Sequence, residues 1–170
     1  MRKINISILL GLLLILTSFN SLNPSQYRLK TVVIDAGHGG KDPGARGKIS
    51  WEKDIALAIS LELGRILKEN MPAINVVYTR KDDRFLTLYK RSEIANKSNA
   101  DLFISIHADS FSKSSVYGAT TYLMGLSKTS ANMNVAKREN SVIFLEENYE
   151  ETYKDFDPNS SESVMLLSLT

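Results

Sequence analysis

The 170-residue chain contains two histidines, and each follows a short apolar run: His38 comes after "TVVIDAG" and His107 after "DLFISI". An imidazole can relay a proton near neutral pH or give a ring nitrogen to a metal. Either histidine alone is more ordinary as a residue with a satisfied hydrogen bond. Two of two at the ends of predicted strands are harder to assign to chance, because ligands of parallel α/β sheets gather outside the carboxyl ends of the strands. Glycines at 37, 39, 40 and 44 surround His38, where they permit a tight turn and the close approach of a ligand. A carboxylate would complete a three-ligand zinc set with an open position. Glu52, in the first turn of the helix predicted next, is placed for that role, although the helix dipole alone also favours a glutamate there.

Other chemistries fail on spacing. A phosphate loop needs G-x-x-x-x-G-K-[ST], and Gly44 is followed by Ala45. A dinucleotide fingerprint needs a third glycine where Asp42 stands. Without Arg2 and Lys3 the basic count falls from 21 to 19, equal to the acidic count, and there is no basic run, which argues against a nucleic-acid partner. The absence of cysteine excludes disulfides and a lipid-modified cysteine within this sequence.

The elements that must carry these residues alternate. "TVVIDA" at 31 to 36 reads as a strand buried on both faces. Residues 50 to 72 predict a helix burying Ile55, Ile59, Leu63, Ile66 and Leu67, with Ser50 as N-cap and Pro72 beyond its end. Strands are predicted at 74 to 80, 101 to 109 and 117 to 124, with a second helix at 87 to 99 through Leu88, Arg91, Ile94 and Ala95. This rhythm predicts an α/β fold of three layers, a mostly parallel central sheet with helices on both faces. A further helix is expected over 130 to 150 through Val135, Val142, Ile143, Leu145 and Tyr149. The apolar segment "VMLLSLT" at the end begins another element, so the C-terminal part of the domain is expected to be missing. Residues 1 to 22 have the order of a secretory signal: a basic start, a short apolar run and a polar exit. A retained N-terminal anchor is the alternative, because no clean A-x-A site follows, and only then is a membrane contact expected.

"VVIDAGHGGKDPGARG", "WEKDIALAISLELGRIL" and "LYKRSEIANKSNADLFISIHAD", in that order and spacing, resemble the zinc-dependent N-acetylmuramoyl-L-alanine amidases of the amidase-3 family. The resemblance covers about residues 30 to 125. It implies a catalytic domain over 30 to 170, incomplete, that hydrolyses the amide between N-acetylmuramic acid and L-alanine in peptidoglycan, in the periplasm or cell envelope. It also implies Zn2+ as cofactor, held by His38, Glu52 and His107. The family's general base is a late glutamate in a V-E-x-G-F type motif, which does not occur in the 170 residues; the catalytic base is therefore unassigned, and little or no turnover is expected of this chain. Asp109 is the weak candidate to replace it, since two residues beyond His107 it shares a strand face with that histidine if the strand continues. Asp35 is a candidate to fix a histidine tautomer. Arg80 and Arg84 are candidates to meet stem-peptide carboxylates, and Arg91 to make a structural ion pair; solvated surface charge is the plainer reading for all three.

Residues 126 to 163 resemble an insertion that, in some cell-division amidases of the family, blocks the zinc site until an activator protein binds. Glu146, Glu147 and Glu150 are the candidates to reach the metal; a solvated acidic face is the plainer reading. Two other functions stay open at this point: a non-catalytic peptidoglycan-binding envelope module, and a zinc carboxypeptidase.

Overall fold

The structure, a computed structural model, describes residues 28–109, 113, 115–123, 130–154, 156 and 157. The predicted signal segment lies outside them. Among the described residues no helix is long and apolar enough to cross a membrane.

Three parallel strands form the sheet in the order β2-β1-β3: β1 is Thr31–Ala36, β2 is Asn75–Tyr78 and β3 is Leu102–Ile106. The central strand has the predicted bounds, and Val32 through Ala36 are all buried, as befits a parallel strand covered on both faces. Side chains alternate across it. On one face Val32 and Ile34 form the core with Ile74, packed by Leu63 and Leu67 of helix α1, Glu52–Asn70. On the other face Asp35 meets Arg91 of helix α2, Leu88–Lys97. Helices therefore cover both faces, and each crossover is a strand, helix, strand unit.

The buried side of α1 matches the predicted one at Leu63 and Leu67, which pack against the core, and differs elsewhere. Its buried residues are Glu52, Ala56, Ser60 and Gly64, one stripe at steps of four, while Ile55, Ile59 and Ile66 remain 37%, 48% and 43% exposed. Close approach to the sheet explains this. A Cβ on Gly64 would lie 1.8 Å from the Tyr78 hydroxyl, so only a small-residue stripe can face that strand. Glu52 heads the same stripe, and the packing of α1 thus aims its carboxylate at the sheet. Trp51, not Ser50, is the N-cap, without a side-chain capping bond.

The fourth predicted strand is not formed. Residues 117–123 have no regular structure and are exposed, and residue 124 lies outside the described set. The helix expected over 130 to 150 breaks into α3, Ser130–Asn140, a 3-10 turn at Ser141–Leu145 and the single turn α4, Tyr149–Thr152. Asn148 enters α4 in the left-handed conformation, φ 60°, which no continuous helix accommodates.

Candidate metal centre

Parallel register brings the two histidines together. Ala36 of β1 pairs with Ile106 of β3, and the Gly37 amide donates to the Ile106 carbonyl at 3.0 Å, so His38 and His107 leave adjacent strands at the same level. Their rings stand nearly perpendicular, 83° apart with centroids 4.8 Å apart. Nε2 of His38 and Nδ1 of His107 lie 3.2 Å from each other. Glu52 Oε1 is 3.2 Å from each of these nitrogens. A fourth donor comes from α3: Glu139 Oε2 is 2.8 Å from His107 Nδ1 and 3.6 Å from His38 Nε2.

The donor atoms of His38, Glu52, His107 and Glu139 all fall within 4.8 Å of one another. A metal with four nitrogen and oxygen ligands at about 2.0–2.1 Å and tetrahedral angles separates its donors by roughly 3.3–3.4 Å. The triangle of 3.2 Å edges made by His38, Glu52 and His107 fits that size. The set can hold a metal ion.

Surrounding groups fix each donor. Asp42 Oδ2 sits 2.8 Å from His38 Nδ1, which places that ring's proton on Nδ1 and leaves Nε2 as donor, the usual arrangement for a ligating histidine. Glu52 Oε2 accepts the Ala45 amide and Oε1 the Ala108 amide, both at 2.8 Å. Gly37 and Gly44 leave space for the rings. A Cβ on Gly37 would lie 2.4 Å from Cε1 of His107, and one on Gly44 2.6 Å from Cδ2 of His38. His38 itself adopts φ 60°, a conformation that a non-glycine residue keeps only when its surroundings hold it.

Two buried arginines supply that hold. Arg91 donates to Asp35 Oδ1 at 2.6 Å, to the Ala36 carbonyl at 2.8 Å and to the His38 carbonyl at 2.7 Å. Arg80, 2% exposed, donates to the carbonyls of Ala36, Gly37, Lys53 and Asp82. It is a buried structural clasp, neither the contact to a stem-peptide carboxylate nor the solvated surface charge expected from the sequence. Arg84 is exposed and paired with Asp82.

Carboxylates around the two histidines favour their charged forms. Burial disfavours the charged form of both histidines. It is outweighed at His38 by Asp42 and Glu52, and at His107 by Glu139 and Glu52, so each is lifted from 6.5 to about 9. Burial likewise opposes the charge on Glu52. Hydrogen bonds from His107, His38 and the Ala45 and Ala108 amides nevertheless hold its carboxyl far below the usual carboxylate range.

The remaining expected residues lie elsewhere. Asp109 is beyond the end of β3, exposed and paired with Arg138. Asp35 is bonded to Thr79, Arg91 and Ser105 rather than to a histidine ring. Glu146 is buried at the N-terminus of α2, and Glu147 and Glu150 are exposed. The carboxylate that α3 brings to the cluster is Glu139 instead. It and Asp42 are the two participants that the sequence reading passed over. Asp42 carried a faint signal, a carboxylate four residues after His38 inside the glycine loop; Glu139, in "AKREN", carried none.

Residues 32–162 match the Amidase_3 family, described as N-acetylmuramoyl-L-alanine amidase. The chain belongs to the Amidase_3 family. Within it, the chain is 44% identical over 109 residues to the N-acetylmuramoyl-L-alanine amidase AmiA of Escherichia coli, an alignment covering 64% of this chain and 36% of AmiA. It is 34% identical over 125 residues to a putative N-acetylmuramoyl-L-alanine amidase of Buchnera aphidicola subsp. Acyrthosiphon pisum, covering 73% of this chain and 52% of that protein. The CwlD amidase from Clostridioides difficile, solved in complex with the GerS lipoprotein, is 27% identical with a TM-score of 0.53, covering 81% of this chain and 93% of that one. This Amidase_3 chain spans about half or less of the length of such curated relatives, 44%, 52% and 36% for three of them.

Proposed function

We propose that this chain carries the zinc site of an enzyme that hydrolyses the amide between N-acetylmuramic acid and L-alanine in peptidoglycan, at the cell envelope. The observation that carries the reading is the triangle of 3.2 Å separations among His38 Nε2, Glu52 Oε1 and His107 Nδ1. Membership of the Amidase_3 family supports the substrate. The signal-like residues 1 to 22 support an envelope location.

His38, Glu52 and His107 would hold the ion, which supplies a Lewis acid for the amide carbonyl and lowers the pKa of water. Asp42 keeps the His38 proton on Nδ1, and the Ala45 and Ala108 amides keep Glu52 ionised and oriented. Glu139 lies where water and the scissile amide need access. We therefore read α3 and the residues after it, within the 126 to 163 segment, as a restraint on the site that a partner must relieve. The lipoprotein bound to the CwlD amidase is in keeping with a protein partner. Asp109, tied to Arg138, is not poised to act as base.

Elemental analysis of the purified chain is expected to find a single zinc per chain, lost in His38→Ala. Peptidoglycan digests read by mass spectrometry are expected to show little or no turnover by the 170-residue chain, and whole stem peptides from any turnover that Glu139→Gln unmasks. Metal content indifferent to His38→Ala would sink the proposal. Release of single amino acids would replace it with a carboxypeptidase, and sedimentation with sacculi without any cleavage in either form would leave a binding module.

A further inference from the structure

The geometry points to a clamp, remote from the metal donors, in which Glu146 and Tyr153 fasten the segment after α3 to the first turn of α2 and so hold Glu139 against His107. This rests on the reading of Glu139 as a restraint on the metal centre.

The first turn of a helix has amides without intrahelical partners. In α2, Thr87 serves the third helical residue: its hydroxyl accepts from the Lys90 amide at 3.1 Å, while its carbonyl takes the first regular helical bond, from the Arg91 amide at 3.2 Å. The amides of the first two helical residues are served from far along the chain. Glu146 Oε1 accepts from the Leu88 amide at 2.7 Å, and the Tyr153 hydroxyl accepts from the Tyr89 amide at 2.9 Å. That hydroxyl in turn donates to Glu146 Oε2 at 2.8 Å. Both carboxylate oxygens are thus used, at the positive end of the helix dipole. Glu146 is 6% exposed, and Ile143, between it and α3, is fully buried.

This contact is well suited to govern Glu139. A tight 3-10 turn, Ser141–Leu145, joins the end of α3 directly to Glu146, so slack at the clamp reaches Glu139 over a short, ordered span. The helix being gripped also carries Arg91, which donates to the His38 carbonyl. Clamp and metal centre therefore share α2 on one side and the 3-10 turn on the other. A partner that pulls Glu146 or Tyr153 away would withdraw Glu139 without touching a metal donor.

Hydrogen exchange on the full metal-free chain tests the clamp, with Tyr153→Phe, Glu146→Ala and Leu88→Pro. The third variant deletes only the donor to Glu146 from the backbone: proline is favoured at the first helical position, and Thr87, at ψ 155°, already has the extended backbone that precedes it. Exchange in α3 and the 3-10 turn is expected to rise roughly tenfold or more in each variant, the size expected for one lost hydrogen bond to a charged group. His107 should also react faster with diethyl pyrocarbonate, while β1 and α1 exchange as in the parent. Unchanged exchange in α3 in the folded variants overturns the clamp. So does a uniform rise across all elements, which would make the contact an ordinary stabilising one. Neither readout needs zinc or peptidoglycan: a parent chain that binds no metal but opens locally in these variants would remove the proposed function and keep the clamp.

Discussion

Nε2 of His38 and Nδ1 of His107 lie 3.2 Å apart with Glu52 Oε1 at the same distance from both. Two ring nitrogens and a carboxylate at this separation share protons when no metal is present. Both histidines are accordingly lifted to about 9 from 6.5 by the carboxylates around them. Groups with raised pKa values in the folded state stabilise it fully below their unfolded value and lose that contribution as pH passes the folded one. The metal-free protein is therefore expected to lose thermal stability between pH 6.5 and about 9. Zinc must displace these protons, so the rise in Tm on adding zinc is expected to grow over the same interval. A Tm gain that is flat or shrinking with pH would contradict the proton-loaded centre.

Asp42 offers a separate test of the proposed metal site. Its Oδ2 holds the His38 Nδ1 proton and its Oδ1 accepts the Gly44 amide at 3.1 Å. In Asp42→Asn the amide group turned toward Nδ1 donates rather than accepts, which drives the imidazole proton onto Nε2, the atom that must be free. Zinc affinity measured by competition with a chelator is expected to fall about 10- to 100-fold, with the fold intact by circular dichroism.

Gly37→Ala should separate the centre from the fold in another way. Its Cβ would fall 2.4 to 2.8 Å from three atoms of the His107 ring, too close for the ring to stay where it is. A destabilisation of about 1–3 kcal/mol is expected for such overpacking, together with loss of tight zinc binding. Retention of parental affinity would mean that the His107 nitrogen is not a ligand.

The ion pair of Asp35 with Arg91 is buried, with both side chains under a tenth exposed. Arg91→Met strands the carboxylate and releases the His38 carbonyl. Denaturant unfolding is expected to show a loss of about 3–5 kcal/mol. Asp35 lies well below the usual carboxylate range: burial opposes its charge, but Arg91, Thr79 and Ser105 outweigh it. The parent's stability from this pair is present above the ordinary value of 3.8 and lost as pH falls below it. Arg91→Met should abolish that acid-side loss.

Local pattern was legible where one interaction dominates. The β-branched run of β1 has no good alternative to a buried strand, and its predicted and observed bounds coincide. The helix predicted over 87 to 99 forms as Leu88–Lys97, started by Thr87, whose hydroxyl caps it. Periodicity placed Leu63 and Leu67 of α1 against the core but misjudged its isoleucines, because the fully buried stripe is Ala56, Ser60 and Gly64, and at Gly64 the Tyr78 ring leaves no room for a side chain. In the 130 to 150 segment the helical spacing continues past Asn140, but the chain turns there and Glu146 docks onto α2.

From residue types and spacing alone came a parallel α/β rhythm, two histidines at strand ends and a glutamate opening the intervening helix. These depend on strand propensity, helix capping and the rule that parallel strands share a carboxyl end, all properties of short stretches. Which carboxylates complete the cluster was decided by the tertiary structure. Asp42 reaches the His38 ring because the glycine loop folds back at positive φ. Glu139 reaches His107 because the segment after α3 is pinned to α2 by Glu146 and Tyr153. Contacts of that range depend on where whole elements pack, which no local window of sequence encodes.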